Sequence, residues 1–158
     1  MPPFLWHHVP VAVPKMASAT AKQLSEYYQD WLGAPAESEQ QIVHLVEGGL
    51  PTNVISRLIN NGLSQAEIFQ IIINPRTLKH RKSRKQPLSQ EESERAVRTV
   101  RIIAKAQSVL GDLKKAFQWL RTPRKRFEGR SAMEMLATET GGRLVEQMLI
   151  QMDEGMFA

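Results

Sequence analysis

Two capping boxes constrain this chain more than any other feature: Ser64-Gln65-Ala66-Glu67 and Ser89-Gln90-Glu91-Glu92. In each, the serine oxygen can accept the amide three residues on, and the glutamate there can reach back to the serine amide. A helix start is therefore specified twice, on either side of a strongly basic stretch. The first box opens Ile68, Phe69, Ile71, Ile72 and Ile73, whose β-branching would also suit a strand. The box and the short neighbouring segments favour a buried helix that ends before Asn74. Asn74-Pro75 is then a helix cap followed by proline at the first helical position, where a missing amide costs nothing. The second box opens a long helix with Val97, Val100, Ile103, Ala104 and Ala106 at helical spacing, running to about Leu110. Residues 83–88 read as a linker between the two.

The rest of the chain is punctuated in the same way, so the predicted fold class is all-α. Thr20 can cap a helix through Leu32, which stops at Gly33-Ala34-Pro35. A second helix covers about 39–47, with Ile42, Leu45 and Val46 on one face, and Gly48-Gly49 ends it. Thr52 is the expected cap of a third, carrying Val54, Ile55, Leu58 and Ile59. After Gly111-Asp112, an amphipathic helix carries Leu113, Ala116, Phe117, Trp119 and Leu120 and must stop near Thr122-Pro123. Two more are expected over 131–138 and 142–153, the last with Leu144, Val145, Met148, Leu149 and Met152 as its apolar face. Residues 1–19 hold Pro2, Pro3, Pro10 and Pro14 and read as an extended or disordered lead, or as an arm that packs on a partner.

Composition sets limits on function. With no cysteine among 158 residues, disulfides, thiolate metal sites and a cysteine nucleophile are excluded. No apolar run is long enough for a membrane span, so no membrane role is proposed and a cytoplasmic location is the default. Nor is there a glycine-rich phosphate loop, a His-Glu-x-x-His pair or a nucleophile beside a histidine, so no enzyme and no cofactor are expected. The net charge of +5 conceals a division: residues 16–75 carry −4, residues 76–130 carry +12 and residues 131–158 carry −4. Such a divided field suits two different partners for different regions.

The helix pair across Asn74-Pro75 has the layout of a helix-turn-helix. Its second helix would place Arg76, Thr77, Lys79, His80 and Arg81 in the major groove, with Lys82, Arg84 and Lys85 on phosphates. A solvated basic linker, or a surface for an acidic protein, would leave the same charges. A second basic cluster, Arg121, Arg124, Lys125, Arg126 and Arg130, has no cap to aim it and reads as a solvated loop. At the C-terminus, Gly155 releases Met156-Phe157-Ala158 from an acidic helix: a frayed end, or a plug for a concave pocket.

These residues resemble a known family. From Pro87 onward the chain is similar to the toxin-binding domain of Xre/ParS-type antitoxins. The resemblance rests on Leu88, Glu91, Arg95 and Arg98, Val109-Leu110-Gly111-Asp112, Lys115-Ala116, Trp119 through Pro123 and Gly129. It continues through Met135 to Thr138, Gly142, Val145, Leu149 and Gly155. Upstream, Gly49-Leu50-Pro51, Gly62-Leu63-Ser64 and Arg76-Thr77-Leu78 resemble the family's helix-turn-helix portion. Ala132 stands where many relatives have proline, which puts the turn after Gly129 in question.

The resemblance covers roughly residues 42–158 and leaves the role of the first forty open; the expected division is a helix-turn-helix domain over 20–86 and a toxin-binding domain over 87–158. The resemblance implies an antitoxin that blocks a NAD-consuming RES-domain toxin, binds operator DNA, represses its own operon and forms a homodimer. Leu149, Met152, Asp153, Glu154, Gly155, Met156, Phe157 and Ala158 are the expected toxin contacts, with the helix Glu91–Leu110 as the expected dimer contact. A stand-alone helix-turn-helix regulator with a dimerising C-terminal domain is the alternative.

Overall fold

The computed structural model describes residues 21–155. Nine α-helices occur among them: α1 (Ala21–Leu32), α2 (Glu39–Gly48), α3 (Val54–Asn60), α4 (Gln65–Ile71) and α5 (Pro75–Ser83) precede α6 (Gln90–Leu110), α7 (Leu113–Arg121), α8 (Ala132–Met135) and α9 (Glu139–Asp153). The described residues hold no strand, only an isolated bridge between Pro123 and Ser131. The expected all-helical fold is therefore observed. Thr20, the residues before it and Met156-Phe157-Ala158 lie outside the described residues.

Both capping boxes form. Ser64 accepts from the Glu67 amide at 3.1 Å and returns its own amide to Glu67 at 2.8 Å; Ser89 and Glu92 do the same at 3.1 and 2.7 Å. One cap differs from expectation. Asn53, not Thr52, precedes α3, and it makes no side-chain cap bond. The helix instead starts from backbone bonds, with the Val54 and Ile55 amides donating to the carbonyls of Pro51 and Thr52 at 3.0 and 3.2 Å. A tight turn already satisfies those amides, so the threonine oxygen has nothing to cap.

α6 is the axis of the molecule. It packs against α1, α2, α7 and α9 and buries residues along its whole length, from Glu92 and Ser93 to Ala106. Most of the α6 surface is spent on the chain's own core, which leaves exposed Gln90, Glu91 and Glu94 and partly exposed Gln107 to Leu110 for the expected dimer contact. The core is continuous from Tyr28 through Leu58, Ile68, Val100 and Leu120 to Leu149, so the expected junction at 86/87 is a turn within one hydrophobic cluster. Polar groups fasten that turn: the Leu50 amide donates to the buried Ser93 hydroxyl at 2.9 Å, and the Leu88 amide to the Leu50 carbonyl at 2.8 Å.

The C-terminal corner is set by close approach. Gly142 packs so tightly on α6 that a Cβ there would lie 2.6 Å from Cδ of Arg98. Arg98 is 9% exposed and donates to the Leu136 carbonyl at 3.2 Å, joining α6 to the α8–α9 corner. Ala132 is fully buried at the start of α8, where Ser131 caps the helix by accepting from Glu134. The turn after Gly129 therefore closes without proline, since the serine cap supplies the order that proline would add. α8 is a single turn, shorter than the expected 131–138, and α9 begins three residues earlier than expected, capped by Thr138.

Candidate functional site

The turn between α4 and α5 is built from backbone demand. The Ile73 amide donates to the Ile68 carbonyl at 3.1 Å, ending α4, and the Asn74 side chain accepts from the Thr77 amide at 2.8 Å, starting α5. Arg95, reaching from α6, donates to the Ile72 carbonyl at 3.0 Å and so covers a carbonyl that the helix end leaves open. Ile71, Ile72 and Ile73 are all buried, which fixes the turn against the core. α5 itself buries only Leu78. Arg76, Lys79, His80, Lys82, Arg84 and Lys85 are exposed and Thr77 is partly so, so one helix displays most of the predicted DNA-binding residues together.

Arg81 is the exception among them. Its Nε donates to Oε1 of Glu92 at 3.0 Å, and its side chain is only a quarter exposed. Arg81 therefore pins α5 to the first turn of α6, so this expected base contact is already engaged within the chain. The sequence reading missed this bond because the glutamate was already committed to a capping box.

The other capping glutamate is held in the same manner. Arg121, at the end of α7, donates to both carboxylate oxygens of Glu67 at 2.8 and 3.1 Å and to the Gly62 carbonyl at 2.8 Å. Its guanidinium also lies 4.4 Å from the Phe117 ring centroid. Burial pushes the Glu67 carboxyl up, but hydrogen bonds from Arg121 and Ser64 outweigh it and leave the group below its ordinary value. Glu92 behaves alike: burial opposes ionisation, and bonds from Ser89 and Arg81 bring the net shift down. Both glutamates thus stay ionised and act as fixed anchors for cations.

The second basic cluster is not a simply solvated loop. Besides Arg121, Arg124 sits 4.5 Å over the Trp119 ring and donates to the Trp119 carbonyl at 3.1 Å. Lys125, Arg126 and Arg130 are exposed.

α5 ends in strained backbone. Lys85 has φ +52°, the left-handed region that glycine favours. The Gln86 amide donates to the Arg81 carbonyl at 2.9 Å and the Lys85 amide to Lys82 at 3.2 Å, closing the helix in a Schellman pattern. Lys82 and Lys85 then line an open groove with Thr52, Asn53 and Ser56. Those three polar residues were missed in the sequence reading. Their approach to α5 is a tertiary fact with no local signal.

At the other end, α9 separates the predicted toxin contacts by burial. Leu149 is fully buried and belongs to the core, which corrects its assignment as an outward contact. Met152 and Asp153 are half-buried, and Glu154 and Gly155 are exposed. Leu144, expected on the inner face, is 47% exposed, and Ile150 is 39% exposed. The reason is angular: α6 and α8 cover the stripe of Gly142, Val145 and Leu149, and Leu144 projects beside it.

Known proteins fit this arrangement. Residues 41–101 match the Antitoxin Xre-like helix-turn-helix domain, and residues 105–155 match the Antitoxin Xre/MbcA/ParS C-terminal toxin-binding domain. The two matches meet inside α6. The chain is 38% identical over 118 residues to Antitoxin Xre of Pseudomonas putida, covering 75% of this chain and 74% of the relative. It is 32% identical over 130 residues to Antitoxin Xre of Yersinia enterocolitica, covering 80% and 88%. No helix of the described residues is long and apolar enough to cross a membrane. Both relatives are named as antitoxins. With the helix-turn-helix and the C-terminal domain both matched in order, the chain belongs to the Xre antitoxin family.

Proposed function

We propose that this protein is the antitoxin of a type II toxin–antitoxin pair, that its partner is a NAD-consuming RES-domain toxin, and that it represses its own operon as a homodimer. The observation that carries the reading is the pairing of two outward-facing ends on one core: α5, a cationic helix whose one buried residue is Leu78, and the acidic terminus of α9. Arg76, Thr77, Lys79 and His80 read bases, and Lys82, Arg84 and Lys85 meet phosphates. Met152, Asp153, Glu154 and Gly155, followed by Met156, Phe157 and Ala158, cover the toxin's active-site entrance. The carboxylates there face the basic groups that such an enzyme uses for the phosphates of NAD.

Two measurements test this. Expression of the neighbouring gene product alone should deplete cellular NAD and arrest growth, and co-expression of this chain should restore both. Deletion of residues 155–158 should abolish the rescue; intact rescue by the truncated chain would overturn the covering role of the tail. For DNA, Arg76→Ala should weaken operator binding by about 1 to 3 kcal/mol and relax specificity at one position. An equal loss on operator and random duplex would make Arg76 a phosphate contact only.

A further inference from the structure

We propose that α7 and the loop 122–131 form a second phosphate-binding surface, which continues the footprint of α4 and α5 along the DNA backbone. The inference rests on the DNA reading above but concerns residues that the family match places in the toxin-binding domain.

Position is the first argument. Arg121 bonds to Glu67 in the first turn of α4 and to Gly62 just before it, so the C-terminal end of α7, where the loop begins, is tied to the first helix of the helix-turn-helix. Lys114, Gln118 and Arg121 rim a shallow groove with Asn61 and Gly62, floored by Leu113 and Phe117, beside the chain as it enters α4. In a helix-turn-helix the first helix crosses the DNA backbone. Cations flanking that helix therefore stand beside the phosphates.

Sign and chemistry are the second. Lys114, Lys125 and Arg130 are exposed along this strip, and Arg126, also exposed, donates to Gln151 of α9 at 3.3 Å. The strip's acids are Asp112, which caps α7 and lies 4.0 Å from Lys115, and Glu128. None of the exposed large hydrophobic residues among the described ones, Val43, Ile59, Leu144 and Ile150, falls between 113 and 131. Protein interfaces are depleted in lysine at their centre and enriched in aromatic and apolar groups. A strip of exposed lysine and arginine with no exposed large apolar residue fits a polyanion better.

Order is the third. Phe127 is buried at 3% exposure, and the loop closes on itself through Arg124 donating to Arg130 at 3.1 Å and Gly129 donating to Arg124 at 2.9 Å. With Arg124 stacked on Trp119, the backbone that carries Lys125, Arg126 and Arg130 is held in one arrangement before any partner arrives. Less ordering entropy is lost on binding.

The experiment uses the full chain and the triple substitution Lys114→Gln, Lys125→Gln and Arg130→Gln. Binding to the promoter region of its own operon and to a random duplex of equal length is measured from low to high salt. The triple variant should weaken on both duplexes alike and lower the slope of log K against log salt by about 2 to 3, at roughly 0.9 per phosphate lost. Capture of the co-expressed toxin should not change. An unaltered slope, with Arg76→Ala still impaired on the promoter, would overturn the second surface and leave the helix-turn-helix reading standing. If the wild-type chain bound neither duplex, both readings would fall. If the triple variant kept its DNA affinity and lost the toxin, the strip would belong to a protein partner and the proposal would be wrong.

Discussion

α5 and α9 both end in surface that the proposed function uses, yet they are built in opposite ways. α5 rests on the core through Leu78 and is otherwise displayed, steadied from the side by the Arg81–Glu92 bond and by the cap at Asn74. α9 buries Gly141, Gly142, Val145 and Leu149 and offers only a flank and its final turn. A displayed helix can be read from local signals, because caps and charges act over three or four residues. A half-buried helix cannot, because which flank faces out depends on where its neighbours sit.

The sharpest way to break that comparison is Leu149→Ala. As a core residue, Leu149 should cost about 2 to 5 kcal/mol of stability when truncated, while toxin capture per folded molecule stays unchanged. Thermal unfolding alongside a binding titration separates the outcomes. Normal stability with weakened capture would return Leu149 to the surface and make α9 a displayed helix like α5.

Next in size is the lateral support of α5. Arg81→Gln and Glu92→Gln should each destabilise by about 1.5 to 3 kcal/mol, nearer the lower figure because water reaches part of Arg81. The double variant should lose little more than either single one, since both remove the same bond. Salt dependence of DNA binding should be unaltered by Arg81→Gln; a shallower slope would show that Arg81 touches a phosphate after all. The pH dependence follows from the same bond. Glu92 and Glu67 lie below their ordinary value of 4.5 in the folded chain, so their contribution is complete above that pH and is lost as pH falls below it. Glu92→Gln should therefore flatten the acid limb of a stability curve, and an acid limb identical to wild type would separate Glu92 from acid unfolding.

These cases show how far the sequence could be read. Ser64, Asn74 and Ser89 were legible as caps because each acts on an amide three residues away, and the helices they start are where they were expected. Asp112 marked a break but not its second role, since it also caps α7. The partners of the capping glutamates were not legible: Arg121 lies 54 residues from Glu67, and only the fold brings them together. The faces of α9 were misread for the same reason. Apolar residues at 144, 145, 148, 149 and 152 span an arc too wide for periodicity to say which edge is covered.

Lys85 carries a smaller effect of opposite sign. Its left-handed backbone is a position where glycine would be relaxed. Lys85→Gly should raise stability by about 1 kcal/mol, while removing one cation from the groove shared with Lys82 and Ser56. Chemical denaturation and a DNA titration on the same preparation check both halves. If stability rose and DNA affinity held, the strain would have no role in placing that charge, and the display of α5 would end one residue earlier.

The smallest change in stability should come from Leu144→Ser. At 47% exposure the side chain gives little to the core, so the melting curve should move by no more than about 0.5 kcal/mol. An exposed leucine on a helix whose opposite side is fully packed is nonetheless apolar surface left in water, and a protein partner is one way to cover it. Toxin capture should then weaken while folding does not, the reverse of Leu149→Ala. Both leucines lie on α9 five residues apart, and their contrasting responses would place the boundary between core and contact along the helix. If Leu144→Ser destabilised the chain as Leu149→Ala does, that boundary would be misplaced, and the outward surface of α9 would shrink to its final turn.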